Sequence, residues 1–283
     1  MSTTPQETLD PGSATRVAEH CARLFQETLA DRLIAAYLLG SLAHGGFAPA
    51  VSDIDLALVL ADRRDDDDRI IHRVTRELHG TDPSHRRLSA FWSSLPALRA
   101  NREDGRFPAV DRLDLKRSGV LLLGEDVRQD VAAPDAGALF DDSVRFALEV
   151  LATDSVQDEF HNPVRLAGDI RRCTKAVLLP LRFLYTAATG DPGSTDDAIR
   201  HHLAHPAPVA AELVRAATRA RHRDPVPAEH LTTLLDTDLV PLYLHYIDSC
   251  LVGLTPSDGD LAQGLSRWRA QLVDRHHGRT TGS

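Results

Sequence analysis

Short apolar runs alternate with segments of helical periodicity in the N-terminal part of the chain. Apolar residues recur at helical spacing over 17–29. A second helix is predicted over 65–79, where four aspartates at 65–68 suit the positive end of a helix dipole. Four further runs have the length and composition of buried strands: 33–39, 54–60, 88–92 and 120–123. Strands separated by helices and loops predict a small mixed sheet with helices packed on it.

The pattern changes after residue 141, where helical spacing continues and no alternating strand pattern occurs. Helices are predicted at 143–153, 164–189, 207–222 and 238–253, and proline and glycine clusters at 191–193, 205–208 and 224–227 mark helix boundaries. The predicted fold class is therefore α+β, with a small mixed-sheet domain over 13–130 followed by an all-helical domain over 136–276. The polar ends of the chain, 1–12 and 275–283, are predicted to be disordered.

Composition narrows the class of protein. Of the 283 residues, 42% are hydrophobic and 26% are charged, as in globular proteins. No apolar stretch approaches the ~20 residues that cross a bilayer, and the polar N-terminus lacks the features of a secretory signal. The net charge of -9 argues against long nucleic acid as a partner and is compatible with a cationic small molecule. Three distant cysteines suggest neither a disulfide framework nor a zinc site, so we expect the reducing environment of the cytoplasm. Since no apolar stretch is long enough to cross a bilayer, we expect no membrane partner.

One segment carries a pattern with specific chemistry. A predicted strand ends in Gly40 and Ser41, a glycine-containing loop follows, and the next strand opens with Asp53 and Asp55. Strand side chains alternate between faces, so carboxylates two residues apart project together and repel each other. A divalent cation relieves that repulsion, and carboxylate oxygens beside a phosphate suit Mg²⁺. Gly40 allows a ligand to approach the backbone, and Ser41, predicted to open a short helix, offers its hydroxyl and N–H groups to phosphate.

This order of residues, Gly-Ser followed by a spacer and Asp-x-Asp, resembles the polymerase-β-like nucleotidyltransferase superfamily. Within the superfamily, the chain looks most like the aminoglycoside adenylyltransferases that act on streptomycin and spectinomycin. The segments that carry this second resemblance are 39–56, 110–124, and 182–190 with 196–198. The resemblance spans about residues 20–220, and the first segment is its specific part.

The resemblance implies a magnesium-dependent enzyme that transfers AMP from ATP to a hydroxyl of a small molecule. Asp53 and Asp55 would be the catalytic residues and the metal ligands, and Gly40 and Ser41 would bind the nucleotide phosphates. The acceptor would be an aminoglycoside-like, cationic antibiotic or a natural-product intermediate, so antibiotic resistance and biosynthesis both stay open. The helical domain would close over the substrate and the nucleotide.

Two positions depart from the family pattern. The family places a third carboxylate, as catalytic base or metal ligand, on the strand after Asp-x-Asp, and the matching residue here is Ser89. It also tends to place a phosphate-binding lysine where this chain has Thr195. A replacement base would have to come from elsewhere in the sequence. The candidates are Asp111, Asp114, Glu159 and Asp169.

A basic row is a candidate replacement for the missing lysine. At 100° per residue, Arg171, Lys175 and Arg182 fall close together on one side of the helix predicted over 164–189. These cations would bind the triphosphate as cofactor-binding residues, or would act on the metal-site carboxylates indirectly. Ordinary salt bridges and packing of the long side chains explain the same row equally well.

Two other functions fit the same motif. The first is a nucleotidyltransferase of the antitoxin type, which would modify a protein or an RNA and would need a macromolecular docking surface. The second is a catalytically impaired, nucleotide-binding regulatory protein, which Ser89 and Thr195 suggest. Release of pyrophosphate in the presence of a small-molecule acceptor would separate both from the enzyme described above.

Overall fold

A computed structural model describes residues 9–255 and 258–280, with side chains described up to residue 276. The chain divides by its contacts into two compact units, between Asp135 and Ala136. The predicted α+β class is confirmed. The first unit contains a mixed four-stranded sheet with helices, and the described residues of the second unit form helices and loops.

The sheet consists of four short strands, each near the position that its apolar run predicts. They are β1 (Leu33–Leu39), β2 (Ile54–Leu60), β3 (Leu88–Ser94) and β4 (Val120–Gly124). Their order across the sheet is β3-β2-β1-β4. β1 is antiparallel to both of its neighbours, whereas β2 and β3 are parallel. Parallel neighbours require a crossover connection, and a helix provides it between β2 and β3.

Five helices accompany the sheet, and two of them begin away from the predicted residue. Asp10 caps the first helix by accepting a hydrogen bond from the Ser13 amide at 3.0 Å, so the predicted disorder is wrong for residues 11 and 12. Residues 1–8 lie outside the described part of the chain. The third helix begins at Asp67, later than predicted, and Asp67 is buried against Arg32 at 2.7 Å. The helices are α1 (Pro11–Leu29), α2 (Gly40–Ala43), α3 (Asp67–Thr81), α4 (Leu95–Arg99) and α5 (Ala109–Ser118).

The two faces of the sheet belong to different cores. Leu56 and Leu58 of β2 join the cluster that contains the buried side chains of α1 and α3. Ala57 and Val59 join the second cluster, which includes residues of α4 and α5. Because strand side chains alternate, Asp55 lies on the same face as Ala57 and Val59, at the end of the second core.

The second unit contains eight α-helices in its described residues, and they share one apolar core. The predicted helix over 164–189 is in fact two helices, because Asp169 accepts a hydrogen bond from the Arg172 amide at 3.1 Å and starts a new helix. The predicted disorder over 275–283 is wrong as far as residue 280, and 281–283 lie outside the described residues. The helices are α6 (Ala136–Phe146, continued by a π-helical turn, Ala147–Leu151), α7 (Asp154–Phe160), α8 (Pro163–Ala167), α9 (Ile170–Thr189), α10 (Thr195–Leu203), α11 (Ala211–Arg221), α12 (Ala228–Gly253) and α13 (Gly259–Thr280).

A buried tryptophan attaches α13 to the core of the second unit. Trp268 is 1% exposed and its ring lies against Tyr243 and Tyr246 of α12, at centroid distances of 5.7 and 6.4 Å. We expect Trp268→Ala to lower the free energy of unfolding of this unit by about 3–5 kcal/mol, because it removes a large side chain and leaves a cavity. Urea denaturation followed by circular dichroism measures the change. Val252→Ala, at an 88% exposed position on α12, is the control and should shift stability little.

All three cysteines are free and buried. Cys21 lies in the first unit, and Cys173 and Cys250 lie in the second. Burial raises the pKa of the Cys21 and Cys173 thiols to about 12 and that of Cys250 to about 11. Across the helices that the structure describes, none has the length and apolarity needed to span a membrane.

Candidate active site

Gly40 turns the chain from β1 into α2 at a point where the backbone lies against the carboxylate of Asp55. Its φ of +62° is in the left-handed region that glycine adopts without strain. A Cβ atom added to Gly40 would collide with Oδ2 of Asp55, so no larger residue fits this turn unchanged. Ser41 follows in α2, as the sequence predicts. The Gly40-Ser41 turn and one carboxylate of the Asp-x-Asp pair are therefore adjacent in space.

The strand register explains why Asp55 reaches this turn. Asp55 is the second residue of β2, and its partner across the antiparallel pair is Leu39, the last residue of β1. Asp53 directly precedes β2, and both aspartates are half-buried. The sequence predicted that both acids open the strand; Asp55 lies within it and Asp53 immediately before it.

Hydrogen bonds shape the loop that leads into Asp53. The Ala48 amide donates to the Ser52 hydroxyl at 2.9 Å, and the Ser52 amide donates to the Ala48 carbonyl at 2.9 Å, which closes a tight turn. Buried Arg87 donates from its guanidinium to the carbonyl oxygens of Pro49 at 2.5 Å and Ala50 at 3.4 Å. These contacts fix the backbone of the loop directly before Asp53. Sequence analysis missed this role of Arg87.

Asp114, one of the candidate replacement bases, lies next to the Gly40-Ser41 turn. Oδ2 of this buried carboxylate accepts a hydrogen bond from the Gly40 amide at 2.8 Å, and Oδ1 lies 3.3 Å from Nε2 of His44. A hydrogen bond from a backbone amide to a carboxylate is charge-assisted and strong. Asp114 therefore holds Gly40 in the position that meets Asp55, and its candidate role as a base stays a prediction.

We expect Asp114→Ala to destabilise the first unit by about 1–3 kcal/mol, because the Gly40 amide would lose a buried acceptor. Asp114→Asn keeps an amide oxygen for that bond and should retain more of the stability. Urea denaturation of the two variants beside the unmodified protein measures the difference. Equal losses in both variants would contradict the importance of the Gly40 contact.

Ser89 stands where the resemblance placed a third carboxylate. In the parallel pair of β2 and β3, Ser89 is the register partner of Asp55. The next pair along this face is Ala57 with Phe91, and both residues belong to the same core as α5. Ser89 therefore lies on the same face as Asp55, on the adjacent strand. Strand neighbours are about 4.8 Å apart, so a side chain at Ser89 belongs to the same site.

A cation lies beside Ser89. Arg106 donates from its guanidinium to the Ala90 carbonyl at 2.6 Å, and its Nη1 and Nη2 lie 3.4 and 3.5 Å from the Ser89 hydroxyl. The same guanidinium lies over the ring of Phe91, 4.8 Å from its centroid. Sequence analysis missed Arg106, which precedes α5 in a loop without periodicity.

Two carboxylates such as those of Asp53 and Asp55 would suffice to hold a magnesium ion that completes its shell with other oxygens. Among the described residues, no group of three or more His, Cys, Asp or Glu side chains could form a metal site by itself. Magnesium does not require one, since it commonly binds one or two carboxylates and fills its octahedron with water and substrate phosphates. Because Gly40 has no Cβ, its backbone can lie close to Oδ2 of Asp55, and that carboxylate lies beside the turn.

The predicted basic row lies in the second unit, on α9. Lys175 is exposed, and Arg171 and Arg182 are half-buried. The buried residues of this helix include Cys173, Val177, Leu178 and Leu181. Binding of the triphosphate by this row stays a prediction.

The other candidate replacements have structural roles or stay predictions. Glu159 accepts a hydrogen bond from Arg172, and Asp169 caps α9. Thr195 is the first residue of α10. Asp111 is half-buried in the first turn of α5.

Comparison with known proteins supports the fold. No protein-family model matches the sequence, and no curated protein resembles it significantly. Among solved structures, the chain is similar to the spectinomycin adenyltransferase AAD(9) from Enterococcus faecialis, crystallised with ATP and spectinomycin. The TM-score is 0.52 at 14% sequence identity, over 79% of this chain and 99% of that chain. The chain has an adenylyltransferase-like fold. At this identity the similarity concerns the fold, and activity has to be argued from the site.

Proposed function

We propose that the protein is a magnesium-dependent nucleotidyltransferase that transfers AMP from ATP to an oxygen atom of a small molecule. The observation that carries the proposal is the contact between the Gly40 turn and the carboxylate of Asp55. It brings the Gly40-Ser41 turn, which would bind phosphate, next to Asp55, which would bind the metal, across two strands that a long loop separates in the sequence.

Each residue of the site has a distinct role in this proposal. Asp53 and Asp55 would hold Mg²⁺, which when bound would neutralise charge on the phosphates. Ser41 donates its hydroxyl to the phosphate oxygens, and Gly40 lets the backbone come close to them. The acceptor oxygen attacks the α-phosphorus in line, the bond from that phosphorus to the β-phosphate bridging oxygen breaks, and pyrophosphate leaves.

The acceptor that the resemblance implies is a hydroxyl of an aminoglycoside-like compound or of a natural-product intermediate. The solved adenyltransferase was crystallised with spectinomycin, which supports a small hydroxylated acceptor at the level of the shared fold. The net charge of -9 is compatible with a cationic compound of this kind. A hydroxyl acceptor also needs a general base, which is worth about 10²–10⁴ in rate.

A pyrophosphate-release screen tests the proposal directly. The full chain would be mixed with ATP, Mg²⁺ and one acceptor at a time, over aminoglycosides, aminocyclitols and other hydroxylated or anionic small molecules. We expect release of pyrophosphate with at least one acceptor, and a product heavier than the acceptor by one AMP in mass spectrometry. Removal of Mg²⁺ with a chelator should abolish both signals. Binding of ATP and Mg²⁺ in calorimetry without release across the panel would favour the nucleotide-binding regulatory protein instead.

A further inference from the structure

The site has a cation where a hydroxyl acceptor would need a base. Ser89 is the register partner of Asp55, and its hydroxyl has no proton affinity suited to general-base catalysis near neutral pH. The guanidinium of Arg106 lies within 3.5 Å of this hydroxyl. A guanidinium stays protonated in proteins and offers only donors, so Arg106 cannot accept a proton either.

Arg106 is held in place by its backbone as well as by its side chain. The Trp92 amide donates to the Arg106 carbonyl at 2.9 Å, which attaches the segment to the outer edge of β3. A Cβ on the preceding residue, Gly105, would collide with the carbonyl of Trp92, so the chain lies directly against that strand. This attachment fixes the start of the side chain, and the Phe91 ring supports its far end.

The guanidinium of Arg106 has N–H groups available to donate further hydrogen bonds. Arg106 is exposed, and its hydrogen bonds to Ser89 and Ala90 occupy part of its five N–H groups. Within the ranges that the structure describes, no carboxylate forms an ion pair with it. Paired N–H groups in a planar fork match the oxygens of a carboxylate or a phosphate. The arrangement suits an anionic ligand and disfavours an ammonium group at this position.

We propose that the acceptor is an oxyanion, a phosphate monoester or a carboxylate, and that Arg106 binds it. The inference rests on the proposed nucleotidyl transfer and names its acceptor class. An anionic oxygen of the acceptor forms a bond to the α-phosphorus of ATP, the bond to the β-phosphate bridging oxygen breaks, and pyrophosphate leaves. The products are pyrophosphate and a diphosphate-linked or acyl adenylate. No proton has to be removed, so the reaction does not need the carboxylate that Ser89 replaces.

A matched acceptor panel tests this inference. Glucose, glucose 1-phosphate and gluconate present a similar polyol with a hydroxyl, a phosphate monoester or a carboxylate, and streptomycin represents the cationic class. With ATP and Mg²⁺, we expect pyrophosphate release with glucose 1-phosphate or gluconate, and mass spectrometry of the product identifies which oxyanion reacts. Release with streptomycin or glucose and with neither anion would overturn the inference while leaving nucleotidyl transfer intact. Release in none of these arms would also contradict the inference, and the wider acceptor screen then decides whether nucleotidyl transfer itself occurs.

Variants of Arg106 separate acceptor binding from a structural effect. We expect Arg106→Gln to raise the KM for the anionic acceptor about 10–100-fold, the range for loss of a charged hydrogen bond, with the KM for ATP unchanged. Arg106→Lys should recover part of the loss because it restores the charge without the fork. Arg102→Gln removes an exposed cation from the same loop and should behave like the unmodified protein. Equal changes in both KM values, or none, would count against a role in acceptor binding.

Discussion

Asparagine in place of either Asp53 or Asp55 should lower kcat for transfer of AMP by at least about 10²-fold, the scale expected for removing one strong electrostatic contact from a transition state. The substitution keeps the shape of the side chain and removes one of the two negative charges that hold Mg²⁺. The readout is pyrophosphate release with the acceptor found in the screen. Magnesium titration followed by calorimetry should show weaker binding of the metal–ATP complex in both variants.

Asp31→Asn is the matched control, because it makes the same chemical substitution and removes the same negative charge. Asp31 is exposed and precedes β1 in the same unit, so its replacement changes the net charge by the same amount at a distance from the Gly40 turn. We expect normal transfer and normal stability from it. Full activity in Asp53→Asn or Asp55→Asn would remove the basis for the proposed metal site.

Gly40→Ala should also lower kcat for transfer, for a steric reason. The added Cβ would collide with Oδ2 of Asp55, so that either the turn or the carboxylate has to move. A displacement of about 1 Å at a reacting centre can cost about 10²-fold in rate. The positive φ of +62° adds strain of about 1–2 kcal/mol to the folded state. Activity and urea denaturation of the same preparation measure the two effects.

Gly45→Ala separates strain from collision. Gly45 follows α2 with φ of +78°, and a Cβ there would meet no atom within 4 Å. It should therefore lose a similar amount of stability while keeping its transfer activity. Similar losses of activity in both glycine variants would show that backbone strain alone explains the effect, and that the contact between Gly40 and Asp55 is not important for the chemistry.

The sequence predicted the parts of the site that depend on strand pattern. Apolar runs of the right length predicted the positions of β1 and β2. The alternation of side chains between faces predicted that the two acids of Asp-x-Asp would lie on the same face of the sheet. The match of Ser89 to the position of the third carboxylate came from the resemblance, and the register of β2 with β3 agrees with it. These features are local or follow from pairing of strands whose positions were known.

Contacts between distant loops and helices were not predictable in the same way. Asp114 reaches Gly40 across 74 positions of the chain, and Arg87 reaches Pro49 across 38. Neither side chain is distinguished by spacing or composition, since each is one charged residue among many. Arg106 shows the same limitation, because its position depends on how a loop lies along the edge of β3.

Two helices of the second unit, α10 and α13, were not predicted from the sequence, although α10 carries a local signal that could have identified it. α10 begins with a capping box in which Ser194 and Asp197 bond to each other's backbone amides, and this pattern is visible in the sequence as Ser-x-x-Asp. α13 is rich in charged and polar residues, so its periodicity is weak although Leu265, Trp268 and Leu272 are buried. The prediction of a disordered C-terminal tail rested on that polar composition.

Each unit contains at least one buried thiol, so the reactivity of its thiols reports when that unit opens. A cysteine reacts as its thiolate, so a buried thiol whose pKa is raised to about 11 or 12 should be almost inert toward an alkylating reagent while the fold is intact. Labelling of Cys21 would record transient exposure of the sheet unit, and labelling of Cys173 and Cys250 would record that of the helical unit. Peptide mapping after timed alkylation would then show whether the two units open together or one at a time, without any engineered probe.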